Sequence, residues 1–236
     1  MSALADFRTW QDERIQDDAS HLTQAEKDDA IDQAALTYSK HSPREIVYDI
    51  TGDGGYDYAP PPGWITGFSE LLTVEQNPDD NQNPEEGLLD RERFHVYDAP
   101  TGERLRFVDL TPTTSDTMRV RYSMLHTLDA AGSTIPGIDE LAVADLAASY
   151  ALRQLAARFA QASDTTMSAD VADFGGRVQM YTALSDRLLR QYRDHVGVGT
   201  GEDAGEAPAV VFRDFDDNLS AGSAGWGRLF HDGGAY

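Results

Sequence analysis

The sequence predicts an α+β protein: a mainly α-helical body with an inserted small antiparallel β-sheet and a flexible C-terminal tail. Apolar residues recur every three or four positions near both ends of the folded part and every second position in its middle. Beyond Gly197 the composition shifts to Gly, Ala, Asp and Glu. We therefore divide the chain into N-terminal helices (1–43), an inserted antiparallel β domain (44–134), a long helical hairpin (135–197) and an extended tail for partner docking (198–236).

The net charge and the residue types exclude several classes of function. The 236 residues include 41 Asp and Glu against 19 Lys and Arg, a formal net charge of −22. Such a chain repels a phosphate backbone, so sequence-specific nucleic-acid binding is not expected. Without cysteine there is no disulfide, thiolate nucleophile or zinc ribbon. No basic-apolar leader and no apolar run of about 18 residues occurs, so we expect a soluble protein made in the cytoplasm.

Two short helices are predicted at the N-terminus. The first covers residues 4–15, and the second begins after Thr23, which forms a capping-box pattern with Glu26. Ser42-Pro43 should end the second helix, because proline disfavours helical geometry in the residue before it. Helices this short and polar have little stability alone, so both should dock on another part of the body.

The middle of the chain predicts strands. From Arg44 onward, Ile46, Tyr48 and Ile50 alternate with polar residues, which indicates a strand with one face toward a core. The remaining strands are predicted at residues 71–75, 94–97, 105–110 and 118–124. Because Asp98-Ala99-Pro100-Thr101-Gly102 is rich in turn residues, the second and third of these should form a hairpin.

The last predicted strand has the clearest alternation. Met118, Val120 and Tyr122 should face one side, while Arg119 and Arg121 face the other. This pattern predicts a strand with one buried and one solvated face, and hence a small antiparallel sheet.

Two long helices are predicted after the turn Ile135-Pro136-Gly137, the first from about Asp139 to Ala162 and the second from near Ser168 to Gly197. The short linker between them favours an antiparallel hairpin. Its apolar positions, which we expect to form the main helical core, are Leu141, Ala148, Leu152, Leu155, Phe159, Phe174, Val178, Tyr181, Leu184 and Leu188.

The predicted tail contains two apolar and aromatic clusters inside a composition typical of a flexible chain. A tail that only kept the protein in solution would not need them, so we expect them to bind a partner. The expected anchors are Phe212, Phe215, Trp226, Leu229, Phe230 and Tyr236.

One loop partly matches a calcium-binding loop. Asp49, Thr51, Asp53 and Asp57 stand at ligand positions and Gly54 at the position of the required glycine. Pro60 replaces the bidentate glutamate, which removes the ligand that contributes most to affinity. We favour a flexible loop at a sheet edge and keep a calcium- or small-ligand-binding module as an alternative.

No other pattern predicts chemistry. The histidines, interpreted as surface or strand residues, lack the spacing of a metalloprotease site, and no serine lies in a nucleophile elbow. The Gly-rich stretch 197–201 follows a predicted helix, whereas a dinucleotide fingerprint follows a strand. We therefore predict no catalytic residue, no metal ligand, no cofactor and no enzyme activity.

The second long helix holds the densest basic cluster. It comprises Arg177, Arg187, Arg190 and Arg193. No aromatic residues interleave it as in a nucleic-acid platform. Given the overall charge, we expect these arginines to pair with acidic neighbours, either within the chain or across an interface between copies.

Three segments of the two long helices share a pattern with a known family: AVADLAASY at 142–150, FAQASDTTMSAD at 159–170 and Tyr192 to Gly197. They resemble the head-to-tail adaptor (connector) proteins of tailed viruses, either bacteriophages or haloarchaeal tailed viruses. In that family, an alanine-rich helix ends at a Gln-x-Ser-Asp-like turn and is followed by a long helix that ends in Tyr-x-x-x-x-Gly. The segment PGWITGFSELL at 62–72 is similar to the inserted sheet of larger members.

The resemblance implies a structural virion protein in the neck region. Such adaptors form a ring, usually twelve-fold, beneath the portal of the filled head and extend the DNA channel. The implied partners are the portal protein, a neck or tail-completion protein and further copies of the chain. Genomic double-stranded DNA would pass through the lumen without specific binding, and no membrane is involved. A different neck or tail-completion assembly protein is the alternative.

Overall fold

The computed structural model describes residues 2–16, 21–78, 87–162 and 171–199, the side chains of residues 162 and 171–175 excepted. The elements, in chain order, are α1 (Leu4–Ile15), α2 (Gln24–His41), β1 (Arg44–Thr51), β2 (Asp57–Tyr58), β3 (Leu71–Gln76), a 3₁₀ turn (Arg91–Arg93), β4 (Phe94–Ala99), β5 (Gly102–Phe107), β6 (Thr117–Met124), α3 (Glu140–Ala162) and α4 (Val171–Val196). The chain is thus α+β, which confirms the predicted fold class.

The N-terminal helices begin and end where local chemistry dictates. The Thr23 side chain accepts a hydrogen bond from the Glu26 N–H, and the Glu26 carboxylate accepts one from the Thr23 N–H, so the predicted capping box is present. Helix α2 ends at His41, two residues before Pro43. Phe7 of α1 and Ile31 of α2 are fully buried in a cluster that also includes residues of α3.

The β region contains two three-stranded antiparallel sheets, with strand orders β1-β6-β3 and β2-β5-β4. The sequence predicted only one sheet. The hairpin of β4 and β5 carries its own apolar face, including Phe94 and Phe107, and both residues join one buried cluster with Val120 of β6. Because residues of both sheets share this cluster, the apolar surfaces of both sheets are removed from water.

Strand β6 shows the predicted alternation. Met118, Val120 and Tyr122 are buried. On the other face, Arg119 pairs with Asp49 of β1 at 2.9 Å, and Arg121 pairs with Glu45. This face is solvated, and its charges are matched across the strands.

Helix α3 lies at the centre of the helical body, packed against α1, α2 and α4. Its alanines are buried on several sides, which allows the neighbouring helices to approach closely. Ala148, Leu152 and Leu155 are fully buried, and Phe159 and Leu188 are nearly so. These residues lie in one cluster with partly buried Val178, Tyr181 and Leu184.

Leu141 is a correction to the predicted core, because its side chain is 51% exposed. It lies at the start of α3, near Ile138, which is 78% exposed, whereas the adjacent Ala142 and Val143 face the neighbouring helices. The apolar repeat in the sequence therefore continues for one helical turn past the point where neighbouring elements cover the Leu141 face of α3. The side chain of Phe174 lies outside the described residues.

The β insertion joins the helical body through two adjacent strands. β1 follows α2 after a break of only two residues, and its first residue, Arg44, pairs with Met124 at the end of β6. The chain then returns to α3 through residues 125–139. The insertion thus leaves and rejoins the body at one place, and the side chains at that place set its orientation.

No helix in the described part of the chain is both long and apolar enough to cross a lipid bilayer.

Candidate functional site

Polar side chains meet where the β insertion joins the helical body, and we call this group the junction cluster. Its centre is Asp139, directly before α3. The Tyr38 hydroxyl of α2 donates a hydrogen bond to Asp139 Oδ2 at 2.6 Å, and His195 Nε2 of α4 lies 2.7 Å from Asp139 Oδ1. One carboxylate therefore ties the end of α2 and the end of α4 to the start of α3.

His126, two residues after β6, is the second member of the junction cluster. Its backbone N–H donates to Ser39 Oγ of α2 at 2.9 Å. Its ring nitrogens lie 2.9 Å from the Thr134 carbonyl oxygen and 3.0 Å from the Ser42 carbonyl oxygen. The imidazole thus lies between the chain leaving α2 and the chain returning to α3, and in its neutral form its one N–H donates to one of these two carbonyls.

The third member is His41, the last residue of α2. Its Nδ1 lies 2.7 Å from the hydroxyl oxygen of Tyr192 in α4, and the two rings are 5.7 Å apart. Tyr192 is fully buried, so a hydroxyl in this position needs a partner. His41 supplies one and thereby joins α2 to α4.

Burial shifts the pKa values of the junction cluster. It raises the pKa of Tyr38 to about 12, with the hydrogen bond to Asp139 adding to the shift. Burial lowers the pKa of His126, against the effect of the Thr134 and Ser42 carbonyls, and lowers the pKa of His41, where nearby Arg193 adds to the shift.

The interpretation of the histidines as surface or strand residues is wrong for His41 and His126, which are partly buried outside the strands, whereas His195 is exposed. His41, His126 and His195 come from three separate segments and meet at the joint between insertion and body. The only signal in the sequence is that each lies at or near the end of a helix or strand. In the described ranges, no three His, Asp or Glu side chains are placed to hold a metal ion. What the cluster can do is hold the insertion in one orientation.

The junction cluster predicts that the protein loses stability in mild acid. His41 and His126 have folded-state pKa values below the unfolded value of about 6.5, so the unfolded chain binds more protons in this range. Their contribution is fully present above pH 6.5 and is lost as pH falls through and below it. We expect the free energy of unfolding to fall as the pH drops below about 6.5, by less than the ceiling of about 1.4 kcal/mol per pH unit for each histidine, because water screens these partly exposed side chains.

Urea unfolding followed by circular dichroism between pH 7.5 and 5.5 measures this slope. His41→Phe keeps a ring beside Tyr192 but cannot titrate, so it should reduce the slope. His95→Asn is the matched control, since His95 is exposed on β4, and it should leave the slope unchanged. A flat profile for the unmodified chain would contradict the prediction.

The loop considered for calcium has its acidic residues already engaged. Asp49 accepts hydrogen bonds from Arg119 at 2.9 and 3.1 Å, and Asp57 accepts two from Arg106, both at 2.6 Å. Asp53 accepts one from the backbone two residues further on. A cation would have to displace two arginines, so this geometry favours the interpretation as a loop at a sheet edge.

The expected tail anchors lie outside the described residues; they are Phe212, Phe215, Trp226, Leu229, Phe230 and Tyr236. The structure describes the point from which the tail departs. Gly197 has a φ of 78°, and the N–H groups of Gly197 and Val198 both donate to the Arg193 carbonyl oxygen. The glycine thus ends α4 with a left-handed cap beside His195 of the junction cluster.

Fold and site together define an α+β protein whose β insertion is fixed by hydrogen bonds to a helical body. Comparison with known protein families gives no match, and comparison with curated proteins gives none either. Function is therefore argued from the chain's own residues.

Proposed function

We propose that this chain is a structural virion protein: an adaptor ring that joins the portal of a DNA-filled head to the neck or tail and extends the DNA channel. Its partners are the portal protein, a neck or tail-completion protein and further copies of itself, in the twelve-fold arrangement usual for such rings. It works by binding, without turnover, in the neck region of the virion.

The observation that carries this proposal is the arrangement of the four helices. Helices α3 and α4 form a long antiparallel hairpin, α1 and α2 pack on α3, and the β insertion lies between α2 and α3 in the chain. This is the arrangement that the resemblance of residues 142–150, 159–170 and 192–197 to viral adaptors implies. Both the helix arrangement and the local sequence therefore support the proposal.

The junction cluster supports the same proposal. An adaptor has to present a second surface to the next component at a fixed angle from the ring body. Tyr38, His126 and Asp139 link both chain segments of the insertion to the helices through hydrogen bonds of 2.6 to 3.0 Å. A partly buried, hydrogen-bonded network of this kind restricts the insertion to one orientation.

The net negative charge of the chain affects how DNA would interact with the lumen of such a ring. With a formal net charge of −22, the surface that lines a ring of this protein would be predominantly acidic. DNA would pass such a surface without release of counterions and hence without binding. The acidic composition suits a channel through which a genome must slide.

The test is electron cryomicroscopy of the purified full-length chain mixed with portal assemblies and, separately, with the tail-completion protein of the same virus. The expected result is a ring of copies beneath the portal. A complex with the tail-completion protein alone would favour a different neck component. Binding to neither would contradict both functions.

A further inference from the structure

Helix α4 carries an exposed stripe that ends in two arginines. The stripe consists of Met180, which is 54% exposed, Ala183, Arg187 and Arg190, at intervals of three and four residues. Within the described ranges, neither arginine forms an ion pair with a carboxylate. In the part of the chain that the structure describes, Arg190 donates a hydrogen bond only to the Asp186 backbone carbonyl, at 3.2 Å. We call these four residues the basic stripe.

Helix α2 carries an exposed stripe of opposite charge. It consists of Asp29, Asp32 and Leu36, which is 44% exposed. In the part of the chain that the structure describes, Asp29 and Asp32 have no cationic partner, whereas neighbouring Asp28 pairs with Arg8 at 2.7 Å. Burial and the negative charges of Asp28 and Asp29 raise the pKa of Asp32. We call these three residues the acidic stripe.

The two stripes cannot meet within one copy. Helices α2 and α4 both pack on α3, through Ala30, Ile31 and Ala34 on α2 and through Leu188 and Tyr192 on α4. The acidic and basic stripes lie on the faces turned away from these buried residues. Among the described residues, both stripes are exposed, so each is available to another molecule.

The spacing of the stripes matches in one orientation. Asp29 and Asp32 are three residues apart, as are Arg187 and Arg190, or about 4.5 Å along a helix. With the helices antiparallel, Asp32 lies opposite Arg187 and Asp29 opposite Arg190. Leu36, four residues past Asp32, then meets the region of Ala183 and Met180. With the helices parallel, Leu36 would instead lie opposite Asp194.

We propose that the acidic stripe of one copy docks antiparallel on the basic stripe of the next copy, and that this contact closes the ring. Because the two stripes are different surfaces, the contact is head-to-tail, which generates rings or filaments and not two-fold dimers. The inference rests on the proposed ring function and names the residues that build it.

The absence of cysteine from the chain allows a direct test. Leu36→Cys and Ala183→Cys are introduced together in the full-length chain, which is oxidised under conditions of assembly and separated on a non-reducing gel. We expect a ladder of crosslinked multimers. The matched control joins Ala183→Cys with Val47→Cys, an exposed residue of β1, and should give no ladder.

Charge reversal provides the second arm. Asp29→Arg with Asp32→Arg, or Arg187→Asp with Arg190→Asp, should lower the crosslinked fraction by about tenfold or more, because like charges then face each other. The chain with all four substitutions should recover the ladder. If the chain forms rings but the cysteine pair gives no crosslinked multimers, this interface is wrong and the proposed adaptor function is unaffected. A ladder that stops at two copies would also overturn it, and failure of the unmodified chain to assemble would overturn both.

Discussion

Leu155→Asp is expected to abolish cooperative folding of the helical body. Leu155 is fully buried on α3, in the cluster that includes Leu152, Phe159 and Leu188. A carboxylate at this position would have no cationic partner, and burying it costs several kcal/mol, a large part of the total stability of a domain. The variant should show no thermal unfolding transition by circular dichroism, or one shifted down by well over about 10 °C.

Leu141→Asp is the matched control, with the same substitution on the same helix at a side chain that is half exposed. It should leave the melting temperature within a few degrees of the unmodified chain, because the new carboxylate stays in water. Equal effects at the two positions would mean that α3 is not packed as described.

A stop codon after Gly199 is expected to abolish association with the portal while the rest of the chain stays folded. The stop retains Gly197 and Val198, whose N–H groups cap α4, so the truncation removes no hydrogen bond of the helix end. It removes all of the proposed anchors. Each large apolar anchor could supply roughly 1.5–3 kcal/mol on burial against a partner. Circular dichroism measures the fold, and co-sedimentation with portal assemblies measures the association.

Two full-length variants separate the anchors from the tail charge. The first replaces the five central anchors with alanine, namely Phe212, Phe215, Trp226, Leu229 and Phe230. The second neutralises five tail acids, namely Glu202, Asp203, Glu206, Asp216 and Asp217, as glutamine or asparagine. The first should bind the portal as weakly as the truncated chain, and the second nearly as well as the unmodified one. Normal assembly by the truncated chain would contradict a docking role for the tail.

Helices α2 and α4 contribute residues both to the junction cluster and to the two stripes, and these two groups have different roles. The stripes lie on the exposed faces of α2 and α4. Tyr38, His41 and Tyr192 instead lie near the C-terminal ends of these helices, at the junction with the β insertion. A substitution of Arg187 or Arg190 should therefore change assembly without changing the slope of stability between pH 7.5 and 5.5. A substitution in the cluster should do the reverse, since distant sites without shared partners act independently.

The sequence alone determined the features that depend on short-range chemistry. The capping box at Thr23 and Glu26, the alternation of Met118, Val120 and Tyr122, and the two long helices of the hairpin were all predicted from local pattern. Each follows from the repeat of a helix or strand, or from hydrogen bonds between residues three positions apart. The α+β class follows from the same patterns.

Only the tertiary structure decided the features that join distant residues. His41 meets Tyr192 across 151 positions, and the His126 N–H meets Ser39 across 87. The division into two sheets and the exposure of Leu141 likewise depend on which surfaces neighbouring elements cover. A periodic pattern states that a face is apolar but not what covers it, because burial is a property of the packed chain and not of the segment.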